Sequence, residues 1–118
     1  MPATITLQDL KQLTEPNYQI IDIRPPYEYA KNHMPEAINI PYDILMMYPE
    51  SYLKQNQNYY IICAHGGLSH RACAILESFG YDVTSIKFGY ENDLRYSCEN
   101  DLRCGYETDL RYYYYYYY

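Results

Sequence analysis

Residues 59–80 read YYIICAHGGLSHRACAILESFG, and this stretch decides the fold. Its apolar run at 59–63 is typical of a strand that is buried on both faces. The pattern over 69–79 is helical, because apolar side chains share one face and Gly80 suits a helix end; that face carries Ala72, Ile75, Leu76 and Phe79. The stretch therefore predicts a strand, a tight glycine loop and a helix, with Cys63 at the carboxyl end of the strand.

Shorter patterns on both sides extend this unit. Apolar runs predict three further strands, at 18–23, 37–40 and 82–86. Helices are predicted between them: after the capping arrangement of Thr6 with Asp9, from Pro26 to Ala30, and from Tyr42 to Met47. Pro49 is expected to act as a breaker. Strands that alternate with helices predict an α/β domain, with a mainly parallel central sheet flanked by helices on both faces.

The chain changes character near Tyr90. Residues 91–118 contain an octapeptide repeat, marked by Glu91, Glu99 and Glu107, and end in seven tyrosines. A period of eight matches neither a helix nor a stacking repeat. We therefore predict one domain over 1–90 and a low-complexity tail over 91–118 without function, the alternative being a sticky interaction segment. Cys98 and Cys104 in this tail are assigned no chemistry.

Composition excludes several classes of function. A net charge of −6 and a pI of about 4.9 argue against nucleic acid as a main partner. The sequence has no run of about 18 apolar residues and no charged head before an apolar stretch, so neither a membrane partner nor a secretory signal is expected. The four cysteines form no CxxC pair, and no metal-ligand spacing or nucleotide-binding fingerprint is present. A reducing cytoplasm is the expected location.

Cys63 is the first candidate for chemistry, because sites in open α/β sheets form outside the carboxyl ends of strands. Gly66 and Gly67 let the loop curl around the sulfur with its N–H groups pointing inward. The following helix directs its positive end to the same place, and both effects favour a thiolate over a thiol. The alternative is an inert cysteine that packs as a small hydrophobic side chain.

Several blocks of sequence, taken in order over residues 4–90, resemble the rhodanese-like family of single-domain sulfurtransferases. The blocks are 21–24 (IDIR), Glu28, 33–41 (HMPEAINIP) and 63–69 (CAHGGLS), followed by Ala72, Leu76, Gly80, Tyr81 and Val83. The resemblance implies the rhodanese α/β fold and a cysteine persulfide without a cofactor. It implies sulfur transfer from thiosulfate or a persulfide to a thiol, to cyanide or to a protein acceptor.

The resemblance also assigns roles to individual residues. Cys63 corresponds to the sulfur carrier, and the substrate-binding loop consists of Ala64, His65, Gly66, Gly67, Leu68 and Ser69. Asp22 and Arg24 correspond to a support layer behind the loop, which we favour over a role for Asp22 as general base. Arg71 either reaches over the loop or lies on a solvated helix face. Cys73 is expected to pack as a buried side chain rather than to act as a resolving thiol.

Three departures from the family pattern are visible. Leu68 stands where many members have an arginine, Phe88 stands where a glycine is common, and the tail replaces the usual final aromatic helix. Without a cation at position 68 the loop should attract dianionic thiosulfate weakly, so a persulfide donor is expected to work better.

Three other readings stay open at this point. The Cys-x5-Arg loop of cysteine phosphatases and arsenate reductases would need an arginine at Ser69, whereas Arg71 falls two places later. A rhodanese-like binding module without activity, and an artificial sequence of the family type with slow turnover, are the others.

Overall fold

The computed structural model describes residues 3–13 and 18–87. Five parallel strands form one sheet in the order β1-β5-β4-β2-β3. The strands are β1 (Ala3–Ile5), β2 (Tyr18–Asp22), β3 (Ala37–Asn39), β4 (Asn58–Ile62) and β5 (Asp82–Ile86). The helices are α1 (Leu7–Lys11), α2 (Pro26–Lys31), α3 (Tyr42–Met47), α4 (Pro49–Tyr52) and α5 (Gly67–Ser78). None of the helices in these two ranges is long and apolar enough to span a membrane.

Successive side chains of β4 point to opposite faces of the sheet, and each face carries its own core. Tyr59, Ile61 and Cys63 pack with residues of α3 and α5 on one face. Tyr60 and Ile62 pack with residues of α1 on the other face, where Tyr29 of α2 also contributes. The predicted parallel sheet with helices on both faces is thus confirmed, and the apolar run of β4 is explained by burial on both sides.

Local sequence signals explain where the helices of this domain begin or end. The Asp9 N–H donates to Thr6 Oγ1 at 3.1 Å, which caps α1 as the sequence predicts. Pro26 occupies the first turn of α2, where its missing N–H costs nothing. α3 runs from Tyr42 to Met47, which are the predicted bounds.

The structure adds two elements that the sequence does not predict and moves the start of a third. β1 has no pattern that predicts it, because none of its three residues is buried and no alternation can form over Ala3–Ile5. α3 ends at Met47, as expected if Pro49 acts as a breaker, but Pro49 also begins the short helix α4, since a proline fits the first turn of a helix. α5 begins at Gly67, two residues before the predicted start at Ser69.

The buried face of α5 also differs from the predicted one. It consists of Ser69, Ala72, Cys73 and Leu76, which follow the spacing of one helical stripe. Ile75, predicted on that face, is 38% exposed because it lies outside this stripe, and Phe79 is 61% exposed because it follows the last residue of the helix. Residues 91–118 and Phe88 lie outside the described residues.

An ion pair is buried at the end of β2. Asp22 and Arg24 are both almost fully buried, and the Arg24 Nη2 donates to Asp22 Oδ2 at 2.8 Å. The Arg24 Nε also donates to this carboxylate, and Nη2 donates to the Asn32 carbonyl at 2.8 Å. The Asn39 amide donates to the carbonyls of both residues. These bonds join β2 to the end of α2 and to β3.

Removing one partner of this pair should destabilise the domain strongly. We expect Arg24→Leu to lower the free energy of unfolding by about 3–5 kcal/mol, because it leaves the Asp22 charge buried without compensation. The double variant Asp22→Leu/Arg24→Leu should recover part of the loss. Urea unfolding measures both, with Arg71→Leu on the exposed face of α5 as the control. A loss for Arg24→Leu no larger than that of the control would contradict the expectation.

Candidate active site

The Cys63 sulfur lies at the carboxyl end of β4 and accepts two backbone hydrogen bonds. The N–H of Gly66 donates to Sγ over 3.0 Å, and the N–H of Ser69 donates over 3.2 Å. Both donors come from the loop that joins β4 to α5. The residue is only 3% exposed, so this loop closes around the sulfur.

Gly66 allows the loop to turn so tightly. Its φ of 94° lies in the left-handed region, which a residue with a Cβ adopts at a cost. Its carbonyl then accepts bonds from Ser69 Oγ at 3.1 Å and from the His70 N–H at 3.2 Å. At Gly67, by contrast, an added Cβ would meet nothing within 4 Å. Of the two glycines, only the first is required by the backbone.

A pair of buried hydroxyls ties the loop to the neighbouring strand. Ser69 Oγ lies 2.7 Å from Ser85 Oγ, and both residues are almost fully buried. Because the Ser69 proton points to the Gly66 carbonyl, Ser85 is the donor of the bond between the hydroxyls. Sequence reasoning missed Ser85, although a serine on the face of β5 that also carries buried Val83 signals a polar partner there.

These contacts stabilise negative charge on the sulfur. Two N–H groups point at Sγ, which accepts from both. α5 contains 12 residues and begins at Gly67, so the positive end of its dipole lies next to the same atom. Hydrogen bonds to a charged acceptor are stronger than those to a neutral one. The arrangement therefore suits a nucleophilic thiolate.

Cys73 is a second free cysteine on the same face of the sheet, and it has a different environment. It is fully buried in α5. Burial, together with the Glu77 carboxylate and the Cys63 sulfur, raises the pKa of the Cys73 thiol to about 12. A thiol that stays protonated is neither a nucleophile nor a resolving group, which agrees with the predicted packing role.

The other predicted site residues lie around the loop or across the sheet from it. His65 is exposed in the loop, Leu68 is 38% exposed at its rim, and Arg71 is exposed on α5. Asp22 pairs with Ile62 in the sheet and so shares the face opposite Cys63. Its carboxylate is engaged by Arg24, which argues against Asp22 as a general base. The support role of Asp22 and Arg24 stays a prediction.

Two depressions flank the loop. An apolar groove of about 490 Å³ lies beside Leu68 and is lined by Ile23, Pro25, Pro26, Pro41, Tyr42, Asp43 and Ile44. A second cleft of about 410 Å³ lies beside His65 and Gly66, and Lys87 at the end of β5 is one of its walls. Over the described ranges, no group of three or more histidines, cysteines or carboxylates is placed to hold a metal ion.

Comparison with known proteins identifies the family. The sequence pattern of the rhodanese-like domain matches residues 6–94. The chain belongs to the rhodanese-like domain family. Its relatives include the thiosulfate:glutathione sulfurtransferase of Saccharomyces cerevisiae, 30% identical in an alignment of 103 positions, gaps included, that covers 75% of this chain and 74% of that protein.

The comparisons also include a longer plant relative and two solved structures with a similar fold. The mitochondrial protein HIGH ARSENIC CONTENT 1 of Arabidopsis thaliana is 31% identical over 74% of this chain and 59% of its own length. This chain thus spans about three fifths of the plant relative. A rhodanese-like domain protein of Staphylococcus aureus superposes with a TM-score of 0.70 and 32% identity, covering 76% of this chain and 89% of its own. A rhodanese-related protein of Thermoplasma volcanium gives a TM-score of 0.71 at 26% identity, covering 80% and 92%. The rhodanese-like fold expected from the sequence is confirmed.

The two loop glycines give a matched pair of variants for the site. Gly66→Ala should cost about 1–2 kcal/mol of stability, because alanine is strained at a positive φ. It should also shift the Gly66 N–H away from Sγ, and losing one bond to a charged acceptor corresponds to about a tenfold slower reaction of Cys63 with iodoacetamide. Gly67→Ala, which adds a methyl group to open space, should change neither quantity. Equal effects of the two substitutions, measured by urea unfolding and alkylation rate, would refute this account of the loop.

Proposed function

We propose that this rhodanese-like protein is a sulfurtransferase that carries a sulfane sulfur as a persulfide on Cys63. The observation that supports this most directly is the pair of N–H groups on Sγ, at 3.0 and 3.2 Å. Such donors stabilise the attacking thiolate and, after attack, a charged persulfide held in the same loop. The sulfurtransferases among the relatives, at about 30% identity, support the same class of reaction.

The first step is attack of the Cys63 thiolate on the sulfane sulfur of a donor. With a persulfide RS–SH, the new bond joins Sγ to the outer sulfur, and the bond between the two donor sulfurs breaks. The products are Cys63–S–SH and the thiolate RS⁻, which takes the electron pair of the broken bond. With thiosulfate the leaving group is sulfite, and the product is the deprotonated persulfide of Cys63.

The second step returns the enzyme to its starting state. An acceptor thiolate attacks the outer sulfur of the Cys63 persulfide, and the bond between the two sulfurs of the enzyme breaks. The acceptor leaves as a persulfide, or as thiocyanate when the acceptor is cyanide, and the Cys63 thiolate is restored. Electrons balance over the cycle, so the proposed reaction needs no redox cofactor. A protein thiol is an equivalent acceptor, and a reducing compartment such as the cytoplasm keeps Cys63 free.

The size of the loop favours sulfur over phosphate chemistry. The two described donors converge on Sγ itself, and Ser69 occupies the place where a Cys-x5-Arg loop carries its arginine. A tetrahedral oxyanion would need further donors around a wider ring and a cation to neutralise it. A single additional sulfur atom requires neither.

The donor is proposed to be a persulfide more than thiosulfate. Leu68 is apolar and partly exposed at the rim of the loop, where a cation would meet the sulfonate of thiosulfate. The positive end of α5 and the loop N–H groups remain for the thiolate, so activation of Cys63 does not depend on this position. The absence of a side-chain charge at position 68 thus lowers capture of a dianion without disabling the nucleophile.

The carrier role can be tested by mass. After incubation with cysteine persulfide, intact mass should show a gain of one sulfur atom that a reductant removes and that Cys63→Ser lacks. Peptide mapping should place the sulfur on Cys63 and leave Cys73 unmodified, because a thiol with a pKa of about 12 is protonated between about pH 6 and 9. No gain in a folded sample, verified by circular dichroism, would favour a binding module without activity.

The role of Leu68 can be tested by restoring the charge. Leu68→Arg should raise kcat/KM for thiosulfate, followed as thiocyanate formation, by about tenfold, since one rim cation facing a dianion is worth roughly 1–2 kcal/mol. Leu68→Gln is the control, because it adds a polar side chain without charge and should leave the rate near its original value. If both variants behave alike, the rim charge does not limit thiosulfate use.

A further inference from the structure

The sulfur-transfer steps do not use the cleft beside the Cys63 loop. This cleft lies between the ends of β1 and β5 and the start of α5. Its polar lining consists of Thr4, His65, His70, Ser85 and Lys87, with the backbone of Gly66 and Gly67. His65 and Gly66 belong to the loop that encloses the sulfur, and the Gly66 N–H donates to Sγ at 3.0 Å, so the cleft lies on one flank of that loop.

The described lining of this cleft contains one cation and two further N–H donors. Lys87 is cationic, and His65 and His70 can each donate an N–H whether neutral or charged. No carboxylate is found among the residues of the described ranges that line it, although the chain carries a net charge of −6. Three such donors in one cleft can attract an anion.

The backbone holds Lys87 in place. Its N–H donates to the Ile5 carbonyl at 2.8 Å, which continues the pairing of β5 with β1. At the other end, Gly66 is fixed by its bonds to Cys63 and Ser69, and Ser69 is tied to Ser85. The backbone of the cleft walls is therefore fixed with respect to the sulfur, and the exposed Lys87 side chain starts from a fixed position.

We propose that this cleft binds the carboxylate of a small thiol or persulfide substrate while its sulfur lies at Cys63. Lys87 acts as the specificity-determining cation, and His65 and His70 donate hydrogen bonds. Thiosulfate fits this arrangement poorly, because its sulfonate is bonded directly to the sulfane sulfur and cannot extend along the cleft. A thiol whose carboxylate lies several atoms from its sulfur can extend along the cleft. The inference rests on the proposed function and names its substrate class.

Alkylation tests the cleft independently of sulfur transfer. N-(iodoacetyl)glycine and its amide attack the same sulfur and differ in one negative charge, which lies several atoms from the reacting carbon. In Lys87→Gln we expect the reaction of Cys63 with the acid to slow about threefold to tenfold at low ionic strength, while the rate with the amide stays unchanged. Lys54→Gln is the matched control, because exposed Lys54 precedes β4 and so lies toward the amino-terminal ends of the strands, away from the end that carries Cys63. Equal slowing of both reagents in Lys87→Gln, or no slowing of either, would overturn the proposal.

Acceptor specificity tests the same cleft during transfer. Protein loaded with sulfur from cysteine persulfide is mixed with N-acetylcysteine or with its amide, and loss of the persulfide is followed by mass. Lys87→Gln should raise KM about threefold to tenfold for the acid with little change in kcat, and should leave the amide unaffected. Comparing the acid-to-amide ratio of the original protein with that of Lys87→Gln cancels the intrinsic difference in reactivity between the two acceptors. His65→Gln, which keeps a donor, should retain the preference for the acid.

The outcomes separate this inference from the proposed function. Loading and transfer without any selective effect of Lys87→Gln would overturn the role of the cleft and leave the carrier role of Cys63 intact. Failure to load would contradict the proposed function, and the alkylation comparison would still decide whether the cleft attracts anions.

Discussion

The site depends on one constraint: two backbone N–H groups, three and six residues after Cys63, must reach the same sulfur. Such a short turn is open to the chain only if one residue adopts a left-handed conformation, which Gly66 does. It also requires the helix to begin at once, so that its first N–H groups and its dipole point at the sulfur. Strand, loop and helix therefore form a single unit, in which a shift of any part changes the hydrogen bonds that the Cys63 sulfur accepts.

The sheet holds this unit from both sides. β4 lies between β2 and β5, so the end that carries Cys63 is central in the described sheet. On the β5 side, the Ser69 and Ser85 hydroxyls bond the start of α5 to the strand. On the β2 side, the Asp22–Arg24 pair connects the strand end to α2 on the face of the sheet opposite Cys63. A buried ion pair adds little net stability, but its fixed geometry specifies where the strand ends.

The sequence predicted what local patterns encode. The apolar run before Cys63 and the glycine that follows indicated the strand and the loop, because burial and positive φ leave signals in residue type. Contacts between distant elements are not encoded locally. A buried serine on β5 indicates a need for a polar partner, but only the pairing of β5 with β4 and β1 brings Ser85 beside the loop and Lys87 to the neighbouring cleft. The resemblance named Asp22 and Arg24, yet only the register with Ile62 places Asp22 on the face opposite Cys63. β1 has too few residues, and too little burial, to produce any pattern.

The two sides of the loop suggest how a carrier distinguishes its partners. On the proposed mechanism, donor and acceptor react in turn at the same sulfur, so the N–H groups around Sγ cannot tell one thiol from another. Discrimination must come from surfaces that contact the rest of each substrate. Here Leu68 borders an apolar groove on one side, and His65 borders a basic cleft on the other. A substrate with a carboxylate is attracted only by the cleft beside His65. An uncharged apolar substrate buries most of its surface in the groove beside Leu68. On the proposed mechanism, the flanks of the loop therefore set the specificity, and the loop itself supplies the reactivity.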